Sequence, residues 1–92
     1  MTTSNGVAIK VEQGRIQEAL QEAVTRLDDS NTELALDFSS VHRIDSAALR
    51  EMEKLASTAG EKSVRVVLQG TDVDVYKVLK LTKLSSRFSF VA

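Results

Sequence analysis

Four short apolar segments alternate with three amphipathic ones along this chain, a pattern suited to a sheet with helices packed against it. Val7-Ala-Ile-Lys-Val11 sets Val7, Ile9 and Val11 on one face of a strand, and Gln13-Gly14 turns the chain. Ile16, Ala19, Leu20, Ala23, Val24 and Leu27 recur at helical spacing, and Asp28-Asp-Ser-Asn31 ends that helix with turn-forming residues. Glu33 to Phe38 reads as a central strand with Leu34, Leu36 and Phe38 facing the interior, broken by Ser39 and Ser40. Ala48, Leu49, Met52, Leu55, Ala56 and Ala59 form the apolar stripe of a second helix, with Gly60 placed to end it. Ser63 to Gln69 makes a third strand. Gly70-Thr71-Asp72 then turns into a third helix starting near Val73, capped by Thr71 or Asp72. Phe88-Ser-Phe-Val91 reads as a last short strand.

This order predicts an α/β fold: a mixed β-sheet of about four strands with helices packed on it and a short N-terminal strand region. With no internal repeat and no linker in 92 residues, residues 7–92 are expected to form a single domain behind a disordered tail over residues 1–6. Right-handed crossovers bring the helix N-termini to the carboxyl edge of such a sheet, where ligands and partners usually meet it. The segment Ser39 to Ser46 and the Gly70-Thr71-Asp72 turn both reach that edge.

Composition removes several function classes. Zero cysteines leave no disulfide, no thiolate metal site and no cysteine nucleophile. His42 is the one histidine, so it reads as a loop-surface residue near the binding edge rather than a metal ligand or half of a catalytic dyad. Gly70-Thr71 lacks the spacing of a phosphate-binding loop, and no convergent acid pair stands out; neither an enzyme nor a cofactor is expected. A net charge of −1 and four aromatics (Phe38, Tyr76, Phe88, Phe90) argue against nucleic acid. The polar, uncharged start is neither a signal nor a transit peptide, and no apolar run approaches the roughly 20 residues that span a bilayer, so a cytoplasmic location without direct membrane insertion is expected. Lys77, Lys80, Lys83 and Arg87 read as a solvated face, with a partner or lipid-headgroup contact as the alternative.

Asp45 and Ser46 precede the second helix, and both are residue types that satisfy the free N–H groups of a helix start. Ser46 there has two readings, a plain cap or an exposed serine open to phosphorylation.

The run Leu36-Asp-Phe-Ser-Ser-Val-His-Arg-Ile-Asp-Ser-Ala-Ala-Leu49 resembles the signature of STAS domains, typified by bacterial anti-sigma factor antagonists. Gly60, the strand ending Leu68-Gln-Gly70, and Val78-Leu-Lys-Leu-Thr-Lys-Leu84 are similar to further family elements, so the resemblance spans roughly residues 7–91. Two departures stand out: Ala47 and Ala48 replace the family's second serine and glycine, and one strand precedes the first helix where the family usually has two. The added methyl is expected where a partner's loop approaches.

The resemblance implies a partner-switching regulator of transcription rather than an enzyme. Ser46 matches the family serine that is phosphorylated by a partner acting as both kinase and anti-sigma factor, and a phosphatase resets the cycle. The expected partner surface comprises Ser39, Ser40, His42, Arg43, Asp45, Ser46, Ala47, Arg50 and Glu53, on a monomer or weak dimer. An accessory STAS subunit of a phospholipid-transporting ATP-binding cassette system, bound to its ATPase, is the alternative.

Overall fold

The computed structural model describes residues 6–27 and 33–91. Strands β1 (Gly6–Glu12), β2 (Glu33–Ser40), β3 (Arg65–Gln69) and β4 (Ser89–Val91) alternate with helices α1 (Ile16–Thr25), α2 (Ser46–Glu61) and α3 (Val73–Leu81). Short 3-10 turns, Gln13–Arg15 and Ser85–Arg87, lead into α1 and β4. The strands lie in the order β1-β2-β3-β4 with every pairing parallel. The expected α/β sheet of four strands is present, and its described pairings are all parallel because a helix returns the chain before each new strand.

Sequential order with right-handed crossovers stacks every helix on one face of the sheet. Burial follows that rule. Ile9, Leu36, Leu68 and Phe90 stand in register across the four strands. The first three are buried and Phe90 packs against the same core, which Leu20, Ala23, Met52, Leu55, Val75 and Leu79 close from the helices. On the opposite face Ala8, Lys10, Glu12, Arg65 and Gln69 are exposed. Parallel sheets usually carry layers on both faces; here polar groups make the open face wettable. Lys10 sits opposite Asp37 in register, and Arg65 Nε donates to Ser89 Oγ at 3.2 Å.

Several boundaries differ from the sequence expectation, and β3 begins at Arg65 rather than Ser63 and β4 at Ser89 rather than Phe88. β2 continues through Ser39 and Ser40, because pairing with β1 carries the strand past the apolar run. Gly6 belongs to β1 rather than to the expected tail, while residues 1–5 and the Asp28-to-Asn31 turn lie outside the described residues. α2 runs past Gly60 to Glu61. It ends instead with Ser63 in the left-handed region (φ 57°), Val64 N donating to Ala59 O at 2.9 Å and Ser63 N to Gly60 O at 3.3 Å. α3 ends the same way around Lys83 (φ 66°), with Leu84 N donating to Leu79 O at 2.8 Å. Both ends are Schellman motifs closed by a buried residue, Val64 or Leu84, without the usual glycine.

Candidate functional site

The carboxyl ends of the strands gather the loop between β2 and α2. Val41 bends the chain there, its amide donating to Phe38 O at 2.9 Å and its side chain fully buried. The loop that follows is held from both sides by residues about 30 positions away. Gln13, in the turn after β1, accepts through Oε1 from the amides of His42 (2.7 Å) and Arg43 (3.1 Å). Its Nε2 donates to the Arg43 carbonyl at 2.8 Å. One amide side chain therefore serves three backbone groups of an irregular segment. On the other side His42 Nδ1 lies 3.1 Å from Asp72 Oδ2. Asp72 is also the N-cap of α3, its Oδ1 accepting from the Asp74 amide at 3.4 Å. The hydrogen bond from His42 holds the Asp72 carboxyl below its ordinary value.

Asp45 closes the loop and starts α2. Its backbone is extended (φ −101°, ψ −178°), its Oδ1 accepts from the Ala48 amide at 2.8 Å, and its carbonyl accepts from Leu49 N at 3.0 Å. Asp45 is thus the cap, and Ser46 is the first helical residue. Ser46 is exposed, and its hydroxyl has no hydrogen-bond partner among the described residues. Ser46, Arg50 and Glu53 recur at helical spacing and are all exposed, so they form one outward stripe of α2. Ala47 is half-buried. Ala48 is only 1% exposed, so its methyl enters the core and leaves the approach to Ser46 open, contrary to the obstruction expected of it.

Ser39 and Ser40 finish β2 beside this loop, Ser39 exposed and Ser40 half-buried. The Asp37 carboxylate accepts from the Ser39 amide at 3.0 Å, and Ser39, through its hydroxyl first, lowers the Asp37 pKa. Gly70 (φ 65°) passes so close that a Cβ on it would sit 3.0 Å from Ser39 Cβ and 3.3 Å from Ser39 Cα. The Gly70 amide meanwhile donates to the Val91 carbonyl at 3.2 Å, which ties β4 to the same edge. Between the turn after β1 and the start of α2 lies a cleft of about 450 Å³ lined by Gln13, Arg15, Glu18, Arg43 and Asp45 among others. Its two arginines and two carboxylates offset one another.

The expected site residues thus share one edge, apart from the α2 stripe that leads away from it. Sequence reading missed Gln13 as a clamp and the His42–Asp72 tie. Neither has a local signal, since each joins a loop residue to one about 30 positions off. Among the described residues no group of three His, Cys, Asp or Glu could hold a metal ion. No helix among them is long and apolar enough to cross a membrane.

A protein-family model of the STAS domain matches residues 13–92. The chain belongs to the STAS domain family. Solved structures share the fold. A sulfate transporter family protein from Wolinella succinogenes superposes with a TM-score of 0.78 at 11% identity, covering 98% of this chain and 80% of that one. The protein TM1081 superposes with a TM-score of 0.72 at 16% identity, covering 99% of this chain and 77% of that one. Among curated proteins, none matches the sequence. The STAS match begins at Gln13, directly after β1, and so contains the clamp, the loop and the whole of α2. STAS domains act through protein–protein interactions and are generally not enzymes.

Proposed function

We propose that this STAS domain is a partner-switching regulator that binds an anti-sigma factor with serine-kinase activity through the edge formed by Ser39 to Ser46 and the α2 stripe. Phosphorylation of Ser46 controls that binding. The observation that carries the reading is the division of labour at the start of α2. Asp45 makes the capping bond to Ala48 N at 2.8 Å, which leaves the Ser46 hydroxyl exposed and unengaged. A phosphate on Ser46 adds about −1.5 to −2 charges and three acceptor oxygens. The N–H groups and dipole at the start of a 16-residue helix favour that anion, so the fold tolerates it. A partner seated on Asp45 and Ser46 does not, since the new charge adds to the carboxylate already there. The switch therefore acts on binding and leaves the fold intact. In this reading the protein is not an enzyme, acts in the cytoplasm, and is reset by a phosphatase.

The alternative, an accessory subunit bound to a transporter ATPase, uses the same edge with Ser46 as an ordinary surface residue. Ala47 and Ala48 in place of the family's Ser-Gly are compatible with it. Affinity capture from the native cell with wild type and Ser46→Asp as paired baits separates the two. A kinase-like ATPase recovered with wild type alone supports the switch. A transporter ATPase recovered with both baits refutes it.

A further inference from the structure

Among the described residues, the exposed large hydrophobic side chains are Val73 (64% exposed), Tyr76 (38%) and Leu81 (84%) on α3, and Val91 (46%) on the open face of the sheet in register with Gln69. The neighbourhood is fixed by Tyr76 and Phe90, whose rings meet edge to face with centroids 5.0 Å apart. Lys77 and Lys80 are exposed on the same outward face of α3, between Val73 and Leu81. Lys83 and Arg87 continue the basic run beyond the helix. None of these four cations is within salt-bridge distance of a carboxylate among the described residues. The helix carries its acids, Asp72 and Asp74, at its N-terminal end on either side of Val73, where His42 holds Asp72, so the basic part of the face runs from Lys77 onward beside Leu81.

An unpaired basic ridge with apolar side chains interleaved is complementary to a surface that is anionic outside and apolar just beneath. We propose that the C-terminal part of α3 docks this protein peripherally on an anionic lipid surface, Leu81 entering the headgroup layer while Lys77, Lys80, Lys83 and Arg87 contact lipid phosphates. The arrangement suits lipid better than a protein partner. The core of a protein interface is depleted of charge, whereas these lysines sit in the middle of the apolar residues. At a membrane surface they keep their ammonium groups hydrated at headgroup level while their stems and the apolar neighbours go deeper. Docking in this way is independent of the Ser46 edge.

The test is co-sedimentation of the full chain with vesicles of phosphatidylcholine alone and of phosphatidylcholine mixed with phosphatidylglycerol. Binding to the mixed vesicles only, weakened by salt, is the expected result. Each lysine at such a surface contributes about five-fold in affinity. Lys77→Glu with Lys80→Glu therefore weakens binding at least about 25-fold. Lys80→Glu alone has an effect that Lys54→Glu, the same charge change on the exposed face of α2, does not reproduce. Leu81→Gln leaves the net charge alone and weakens binding about ten-fold through lost burial; at 84% exposure Leu81 is not needed for folding, which circular dichroism checks. Failure to sediment with either vesicle overturns the proposal and leaves the ridge to a protein partner. Equal loss from Lys54→Glu and Lys80→Glu overturns it as well, because net charge and not the ridge then controls binding.

Discussion

Replacing Gly70 with alanine tests how tightly the carboxyl edge is built. Gly70 has a φ of 65°, and left-handed backbone costs a residue with a Cβ about 1–2 kcal/mol. The new methyl would stand 3.0 Å from Ser39 Cβ and 3.3 Å from Ser39 Cα, closer than van der Waals contact. Ser39 lies near the end of β2 where the pairing with β1 shifts register, next to Ser40, which is paired to Glu12, and overpacking of this kind costs about 1–3 kcal/mol. The sum, reduced by whatever β2 relaxes, is about 2–4 kcal/mol. A domain of this size shifts by about 4–8 °C per kcal/mol, so the melting temperature falls by roughly 10–25 °C. Gly60→Ala supplies the control. Gly60 is helical, a Cβ there meets nothing within 4 Å, and alanine in a helix gains about 0.5–1 kcal/mol. Thermal and urea unfolding followed by circular dichroism read both variants. Ser39→Gly combined with Gly70→Ala recovers part of the loss by removing the 3.0 Å contact, which a double-mutant cycle isolates. A Gly70→Ala melting temperature within a few degrees of wild type, or no coupling to Ser39, would refute the reasoning.

The remaining predictions concern the same edge and the helix ends. Asp45→Ala loses the cap and about 1 kcal/mol, whereas Ser46→Ala stays within about 0.5 kcal/mol of wild type in urea unfolding; equal losses would make Ser46 part of the cap. Ser63→Gly relieves a left-handed serine and stabilises the protein by about 0.5–1 kcal/mol in the same assay. Gln13→Ala accelerates hydrogen exchange at the His42 and Arg43 amides without affecting the Val41 amide, which bonds to Phe38 O instead. His42→Ala raises the Asp72 pKa toward the ordinary 3.8 in a carboxyl titration by NMR. Because the folded Asp72 value is depressed, its contribution to stability is present above the unfolded value and lost as pH falls through the folded one, and the variant, which keeps the backbone hydrogen bonds from the start of α3, shows a smaller acid-range dependence.

The order of strands and helices and most of the inward residues of each were legible in the chain. They depend on periodicity within short segments, and Leu34, Leu36 and Phe38 alternate in the sequence as they do in the core. Local chemistry could narrow the cap of α2 to Asp45 or Ser46, but the choice between them rested on the backbone. Asp45 is extended and Ser46 is already helical, and the incoming β2 and loop dictate where that change falls. The end of α2 went the same way. Gly60 looked like a stop, yet burying Val64 fixes the turn three residues later at Ser63. Gln13, His42 and Asp72 illustrate the larger limit. Each is unremarkable among its neighbours in sequence, and each acquires its role from a residue about 30 positions away. Sequential parallel strands bring the turns after β1, β2 and β3 to one edge, so interactions between those turns exist only once the sheet has formed. The same topology leaves the outward side of α3 uncovered, with Val73 and Leu81 exposed.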